Sequence, residues 1–200
     1  MKSILISIKS KHVLDILNGD KTLELRKSVP KDFKGWVYVY CTKAKPLIIH
    51  EYYTDEIPCY EYSGSKLMEK YHAFANGKVV ARFWFDEYDF IEFAPLYGYY
   101  SDIDDYRYAV NDNELKDLCL SYNDLHNYGK DNDLYAWHIK KLEAFDKPME
   151  LSEMLKVNPD VENIGAYGWA YTKEELPDYI PLTKAPQSYQ FVYVKEKVNE

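Results

Sequence analysis

Little in this chain marks a secreted, membrane-spanning or metal-dependent protein. Cysteine is scarce and odd in number: Cys41, Cys59 and Cys119 stand far apart with no C-x-x-C pair, which argues against a disulfide framework or a structural zinc and for a reducing cytoplasm. No apolar run approaches the ~20 residues that cross a bilayer. The apolar residues Ile4, Leu5, Ile6 and Ile8 are interrupted by Ser7, Lys9 and Lys11 before a signal-peptide core could form. Eight Gly and nine Pro in 200 residues leave no room for low-complexity segments. There is no G-x-S-x-G elbow, no phosphate-cradling P-loop and no H-E-x-x-H. The histidines His12, His50, His72, His126 and His138 lack ligand spacing, so no metal site is expected, and nothing implies a cofactor.

Basic excess is also missing. A net charge of −8 and a pI near 5.2 disfavour non-specific binding to duplex DNA, which depends on many Lys and Arg contacts to phosphate. The charge is nonetheless uneven. Residues 1–45 hold ten Lys or Arg against four Asp or Glu, a balance of +6, leaving −14 for the rest. Such asymmetry hints at an anionic partner at the basic end. The chain has 21 Tyr, 8 Phe and 4 Trp; most of these rings must be core, but any left exposed can stack on bases.

Strand-like runs rich in β-branched and aromatic residues recur at 4–8, 22–26, 36–42, 79–85, 134–142 and 189–194. Helical signals fall at 10–18, 66–75 and 113–120, with short turns near 152–156 and 173–176. Strands are not separated by regular helices, so the expected fold is α+β, with a mixed sheet curled into a small β-barrel flanked by a few short helices. The length suits a single domain over residues 1–200. An extension is expected at about 43–77 and a long irregular connection at about 158–186. The stretch 86–105 has seven acidic residues and no basic one, but lacks the spacing of a calcium loop and reads as a solvated acidic face.

The densest chemistry lies at residues 19–27. Ser10 is placed to cap a helix carrying Val13, Leu14, Ile16 and Leu17, and Gly19 to end it. Beyond Gly19 the period becomes two, with Leu23 and Leu25 on one face and Thr22, Glu24 and Arg26 on the other. If Lys21, Glu24 and Arg26 line a partly enclosed cleft, Glu24 can accept from an exocyclic amine or ribose hydroxyl while Lys21, Arg26 and Lys27 engage phosphate or carbonyl oxygens. The bland alternative is an ion pair on an exposed strand. His138, between Trp137 and Ile139, is expected to be a structural histidine. Gln187 and Ser188 follow Pro186 at a strand entry, where a loop can present them to a base edge. Gly165 and Gly168 read as a turn.

Three stretches carry a family resemblance: Ile4 to Lys27, with a G-x-K-T-x-E-x-R-K pattern at Gly19, Lys21, Thr22, Glu24, Arg26 and Lys27; Trp36 to Lys43, an aromatic strand ending in Cys41 and Thr42; and Tyr135 to Ile139 with Phe145, Pro148 and Leu151, closing at Pro186, Gln187 and Ser188 before Tyr193 and Val194. Their order resembles the ASCH domain of the PUA-like superfamily. The resemblance implies a small barrel with a cleft beside the 21–27 strand, binding single-stranded RNA or a nucleotide or modified nucleoside through Lys9, Lys21, Thr22, Glu24, Arg26, Lys27, Thr42, Gln187 and Ser188. Some members are hydrolases. In the branch that deacetylates N4-acetylcytidine the lysine works with a threonine three residues on and a distant glutamate. Lys21 matches the lysine, the threonine position is Glu24, and Glu114 is the candidate for the glutamate. An enzyme would therefore rely on Glu24 as general base and Lys21 as oxyanion stabiliser, acting on acylated cytidine or RNA. A third reading is a protein-interaction module of a bacterial or viral regulatory system, resting on the acidic 86–105 face and the surplus of tyrosines.

Overall fold

The computed structural model describes residues 1–45, 48–52, 59–63, 66–95, 106–159 and 178–194. In chain order the elements are β1 (Lys2–Ile8), α1 (Ser10–Leu17), β2 (Leu23–Arg26), β3 (Gly35–Cys41), β4 (Ile49–Tyr52), β5 (Cys59–Ser63), β6 (Lys66–Phe74), β7 (Val79–Phe85), β8 (Tyr88–Ile91), β9 (Phe93–Pro95) and β10 (Tyr106–Tyr108). They continue as α2 (Asp112–Leu118), α3 (Tyr122–Gly129), β11 (Leu134–His138), β12 (Lys140–Met149), a 3-10 turn at Leu151–Glu153, β13 (Met154–Val157), β14 (Tyr179–Pro181) and β15 (Tyr189–Val194). The protein is thus strand-dominated and mixed, with three short α-helices among the described residues, as the sequence leads one to expect. None of those helices is long and apolar enough to cross a membrane.

The chain divides into two compact units, one of Met1–Ser10, Val37–Arg82 and Ala144–Glu200, the other of Lys11–Trp36 and Phe83–Glu143. The first unit is organised on a seven-stranded sheet of order β12-β7-β3-β1-β15-β13-β14. Strand β1 pairs parallel with β3 on one side and antiparallel with β15 on the other. That central position explains its composition, because Ile4, Leu5 and Ile6 are each fully buried and a strand covered on both faces needs a continuous apolar run rather than an alternation. Strands β4, β6 and β5 form a separate antiparallel sheet.

The second unit holds the antiparallel sheet β2-β11-β8. One face of it packs Leu23, Leu25, Leu134, Ala136 and Ile91 against Leu118 of α2 and Leu125 of α3. Elsewhere in this unit Trp137 and Phe85 bury their rings 4.7 Å apart, with Phe33 beyond at 6.3 Å from Phe85. Both α2 and α3 start with capping boxes, Asn111 with Glu114 and Ser121 with Asp124, which satisfy N–H groups a helix start otherwise leaves open.

Three expectations need correcting. Residues 66–75 are strand β6, not a helix: their apolar spacing fits either period, and two flanking strands supply ladder partners that an isolated window does not reveal. The single strand expected at 134–142 is two. His138 and Ile139 give their N–H groups to Glu87 and Thr22, and Lys141 takes a left-handed conformation just after β12 begins. Ser10 does not cap α1 but is its first residue, and its hydroxyl donates to the carbonyl of Ala44 at 2.9 Å. Helix α3 has no counterpart in the sequence reading. The expected irregular connection and the Gly165–Gly168 turn fall largely or wholly outside the described residues, as do residues 96–105 of the acidic stretch.

Candidate ligand-binding site

The site is built where α1 stops. Gly19 adopts φ +80°, a conformation costly for other residues, and its N–H bonds to Ile16 O while those of Asp20 and Lys21 both bond to Asp15 O. This tight exit turns the chain directly into β2. It also carries the Lys21 side chain inward, and the residue is only 2% exposed. The Lys21 Nζ donates to Leu118 O at 2.6 Å, the carbonyl at the C-terminal end of α2, and lies 3.6 Å from Glu24 Oε2. Glu24 Oε1 is in turn 3.0 Å from a terminal nitrogen of Arg26. Glu24 and Arg26 are themselves 6% and 5% exposed. The picture of an exposed, solvated ion pair therefore fails. All four residues of β2 are buried, the leucines in one face's core and the charged pair on the other.

Burying charge is expensive unless it is paired and hydrogen-bonded. Here one carboxylate serves two cations, so the three side chains carry a net positive charge. The pKa of Lys21 is lowered, chiefly because burial disfavours its ammonium form, with Glu24 opposing the shift. His12 on α1 feels the same cluster. Its pKa is lowered first by burial and then by the charge of Lys21. His12 Nδ1 stands 3.5 Å from Asp15 Oδ2, outside hydrogen-bonding geometry, and neither atom has a hydrogen-bond partner.

Tyr128 of α3 stands at the edge of the cluster. Its ring centroid lies 5.3 Å from Lys27 Nζ, and its pKa is raised, first by desolvation, with Arg26 and Glu24 acting on it in opposite senses. The residue is nevertheless 39% exposed, so part of it meets solvent. Sequence reasoning missed Tyr128 because it missed α3. The Ser121-x-x-Asp124 capping signature was the available signal. It also missed His12 and Asp15, whose i, i+3 spacing on α1 faces them toward each other.

The predicted residues separate into two groups. The structure brings Lys21, Glu24 and Arg26 together, with Lys27 exposed beside Tyr128. Thr22 is exposed and engages through its backbone alone, its N–H to Asp117 O and its carbonyl from Ile139 N–H. These five belong to the second unit. In the first unit Lys9, Thr42, Gln187 and Ser188 lie at one end of the sheet, where β1 and β3 finish and β15 begins. Ser7 Oγ donates to Pro186 O at 2.6 Å, anchoring the loop that exposes Gln187 and Ser188. The Thr42 N–H donates to Ile8 O, and its buried Oγ1 has no hydrogen-bond partner. Glu114 is committed to its capping box, its Oε2 2.7 Å from Asn111 N. The Nε2 of His138 lies 2.8 Å from Asp89 Oδ2. Among the described residues no group of three or more His, Cys, Asp and Glu is placed to hold a metal ion.

The chain matches no protein-family model and no curated protein sequence. Among solved structures it is similar to a crystal structure of an ASCH protein from Zymomonas mobilis, with 13% identity, a TM-score of 0.47, and coverage of 96% of this chain and 87% of that one. It is likewise similar to crystal structures of two point mutants of that bacterial protein, each 12% identical over 96% of this chain. These matches cover 91% and 88% of the mutant chains, with TM-scores of 0.45 and 0.47. The likeness is one of fold and says nothing of the chemistry at Lys21.

Proposed function

We propose that this protein binds RNA or a nucleotide, modified nucleosides included, at the Lys21–Glu24–Arg26 cluster. The observation that carries this is the burial of Lys21, just before β2, and of Glu24 and Arg26 on it, with the Glu24 carboxylate 3.6 Å from Lys21 and 3.0 Å from Arg26. Such a cluster is rigid, dry and positive, so it offers preorganised donors to phosphate or carbonyl oxygens and one acceptor to an amine or hydroxyl. The G-x-K-T-x-E-x-R-K pattern at residues 19–27 and the +6 balance of residues 1–45 support the same reading. Lys9, Thr42, Gln187 and Ser188, in the first unit, are proposed as separate candidate contacts. Calorimetric titration with nucleoside monophosphates and short single-stranded RNAs tests it. Binding is expected to weaken with salt, as phosphate recognition does, and to be lost in the double variant Lys21→Met, Arg26→Gln. No heat at low salt, or binding unchanged in the double variant, removes the proposal.

A second reading, hydrolysis at the same cluster, is favoured by the lowered pKa of Lys21 beside Glu24. Lysines whose ammonium form is disfavoured by burial become competent for proton transfer nearer neutral pH. Incubation with acylated cytidines and labelled RNA, followed by chromatography, should then show product with the native chain and none with Lys21→Met or Glu24→Gln. Absence of product across pH 6–9 defeats this reading and leaves binding intact.

A further inference from the structure

We infer that the sheet face carrying Glu24 and Arg26 continues across β11 and β8 as a stacking platform for the bases of a single-stranded RNA. This deepens the binding proposal above and rests on it. The register fixes the arrangement. In an antiparallel sheet, residues directly opposite one another share a face, and here Arg26 lies opposite Tyr135 and Tyr135 opposite Phe90, while Glu24 lies opposite Trp137 and Trp137 opposite Tyr88. Two parallel rows therefore run from a charged end on β2 to an aromatic end on β8. Burial changes along them. Glu24, Arg26 and Trp137 are buried, whereas Tyr88 is 44% and Phe90 53% exposed.

The aromatic end is ordered rather than a scatter of exposed rings. Tyr135 stands between the other two, 5.6 Å from Tyr88 at 70° and 5.5 Å from Phe90 at 54°. It touches both neighbours, which remain 44% and 53% exposed. Tyr88 and Phe90 are two residues apart on one strand, about 7 Å, which leaves room for one step of an extended nucleotide chain. The charges identify the occupant. One aromatic row ends in Arg26 and the other in Glu24 with Lys21 3.6 Å beyond it, a charged end with cationic excess that suits a polymer alternating anionic and flat groups, and RNA held on sheet aromatics is bound in this way. Three nearby carboxylates are already engaged, Asp89 by His138 and both Asp86 and Glu87 by Lys140.

A fluorescence-anisotropy titration with a labelled seven-nucleotide uridine RNA, alongside calorimetry with uridine monophosphate, tests the platform. The native chain should bind the RNA at least tenfold more tightly than the mononucleotide. The double variant Tyr88→Ala, Phe90→Ala should lose about tenfold or more of RNA affinity, the order expected for removing stacked rings, while mononucleotide binding stays unchanged. Phe90→Tyr should retain the RNA affinity. Both changed residues are exposed, and circular dichroism verifies the fold. If RNA binds no tighter than the mononucleotide, or the double variant binds RNA as the native chain does, the platform is overturned and the cluster reading survives. Binding of neither ligand to the native chain overturns both. RNA binding that depends on Phe90 but not on Arg26 removes the cluster and, with it, the platform as a continuation of that face.

Discussion

Glu24 holds the most exposed position in the energetics of this protein although it is among the least exposed in space. Its one carboxylate faces both Lys21 and Arg26, and both are buried. Glu24→Gln keeps the shape and removes the charge, leaving two buried cations without their shared carboxylate. Breaking a buried pair in this way costs about 3–5 kcal/mol, so urea denaturation should show a loss of that order. Lys21→Met removes instead the cation whose ammonium form burial already disfavours, and leaves the Glu24–Arg26 pair in place. It should cost clearly less than Glu24→Gln, and the reverse order would contradict the geometry. At this scale the sequence was informative about identity but not about environment. The residue types at 19–27 announced anion chemistry, whereas the partners that enclose this segment, Leu118 O for Lys21 and β11 for the strand, arrive about a hundred residues later in the chain. For the same reason Tyr128 was invisible, since only the path of α3 brings it to Lys27.

Among the elements, α3 is the one whose packing is most tightly specified. It ends at Gly129, and a Cβ added there would run into the hydroxyl of Tyr108. Alanine is worth up to about 1 kcal/mol over glycine in a helix, so propensity alone favours Gly129→Ala. Overpacking costs about 1–3 kcal/mol, and Tyr108 has little room to yield. It is 3% exposed, 5.0 Å from Phe93 and within hydrogen-bonding reach of Asn132 O. The clash should win. Thermal unfolding should place Gly129→Ala below the native chain, and the deficit should shrink in a Tyr108→Phe background, where the hydroxyl is gone. Equal deficits in both backgrounds would show that the hydroxyl is not the obstacle. Elements with one strong local signal were legible in the sequence: β1 from its apolar run, α1 from its spacing and Gly19, β7 and β15 from β-branched and aromatic content. Strand β6 was not, because pairing with β4 and β5 is long-range information, and neither was the break between β11 and β12, which is set by bonds to Glu87 and Thr22.

For the whole molecule, the ionisable groups define a pH window of stability whose alkaline limit can be derived. The Cys41 thiol is fully buried, and desolvation raises its pKa from 9.0 to about 11. The unfolded chain therefore releases this proton first, so the stability that Cys41 contributes is complete below pH 9 and is lost as pH rises toward 11. One pKa unit corresponds to about 1.4 kcal/mol, so the loss from this thiol is at most about 3 kcal/mol. Tyr40, Tyr108 and Tyr128, also raised by desolvation, act in the same direction above pH 10. Lys21 opposes them. Its folded pKa is below 10.5, so its burial becomes less costly as pH rises through that lowered value. On the acid side His12, lowered by burial, withdraws stability as pH falls below 6.5. The urea midpoint should therefore be highest between about pH 7 and 9 and fall steeply from 9 to 11. The two opposing groups make the derivation testable by sign. Cys41→Ala should flatten the alkaline fall, because a buried proton that the unfolded chain gives up early has been removed. Lys21→Met should steepen it, because the one group that gains with pH has been removed. A fall that is flattened by Lys21→Met would mean that Lys21 keeps its proton more firmly in the folded chain than in the unfolded one. In that case Glu24 and Leu118 O outweigh burial, and the cluster is an ordinary ion pair rather than a strained positive centre.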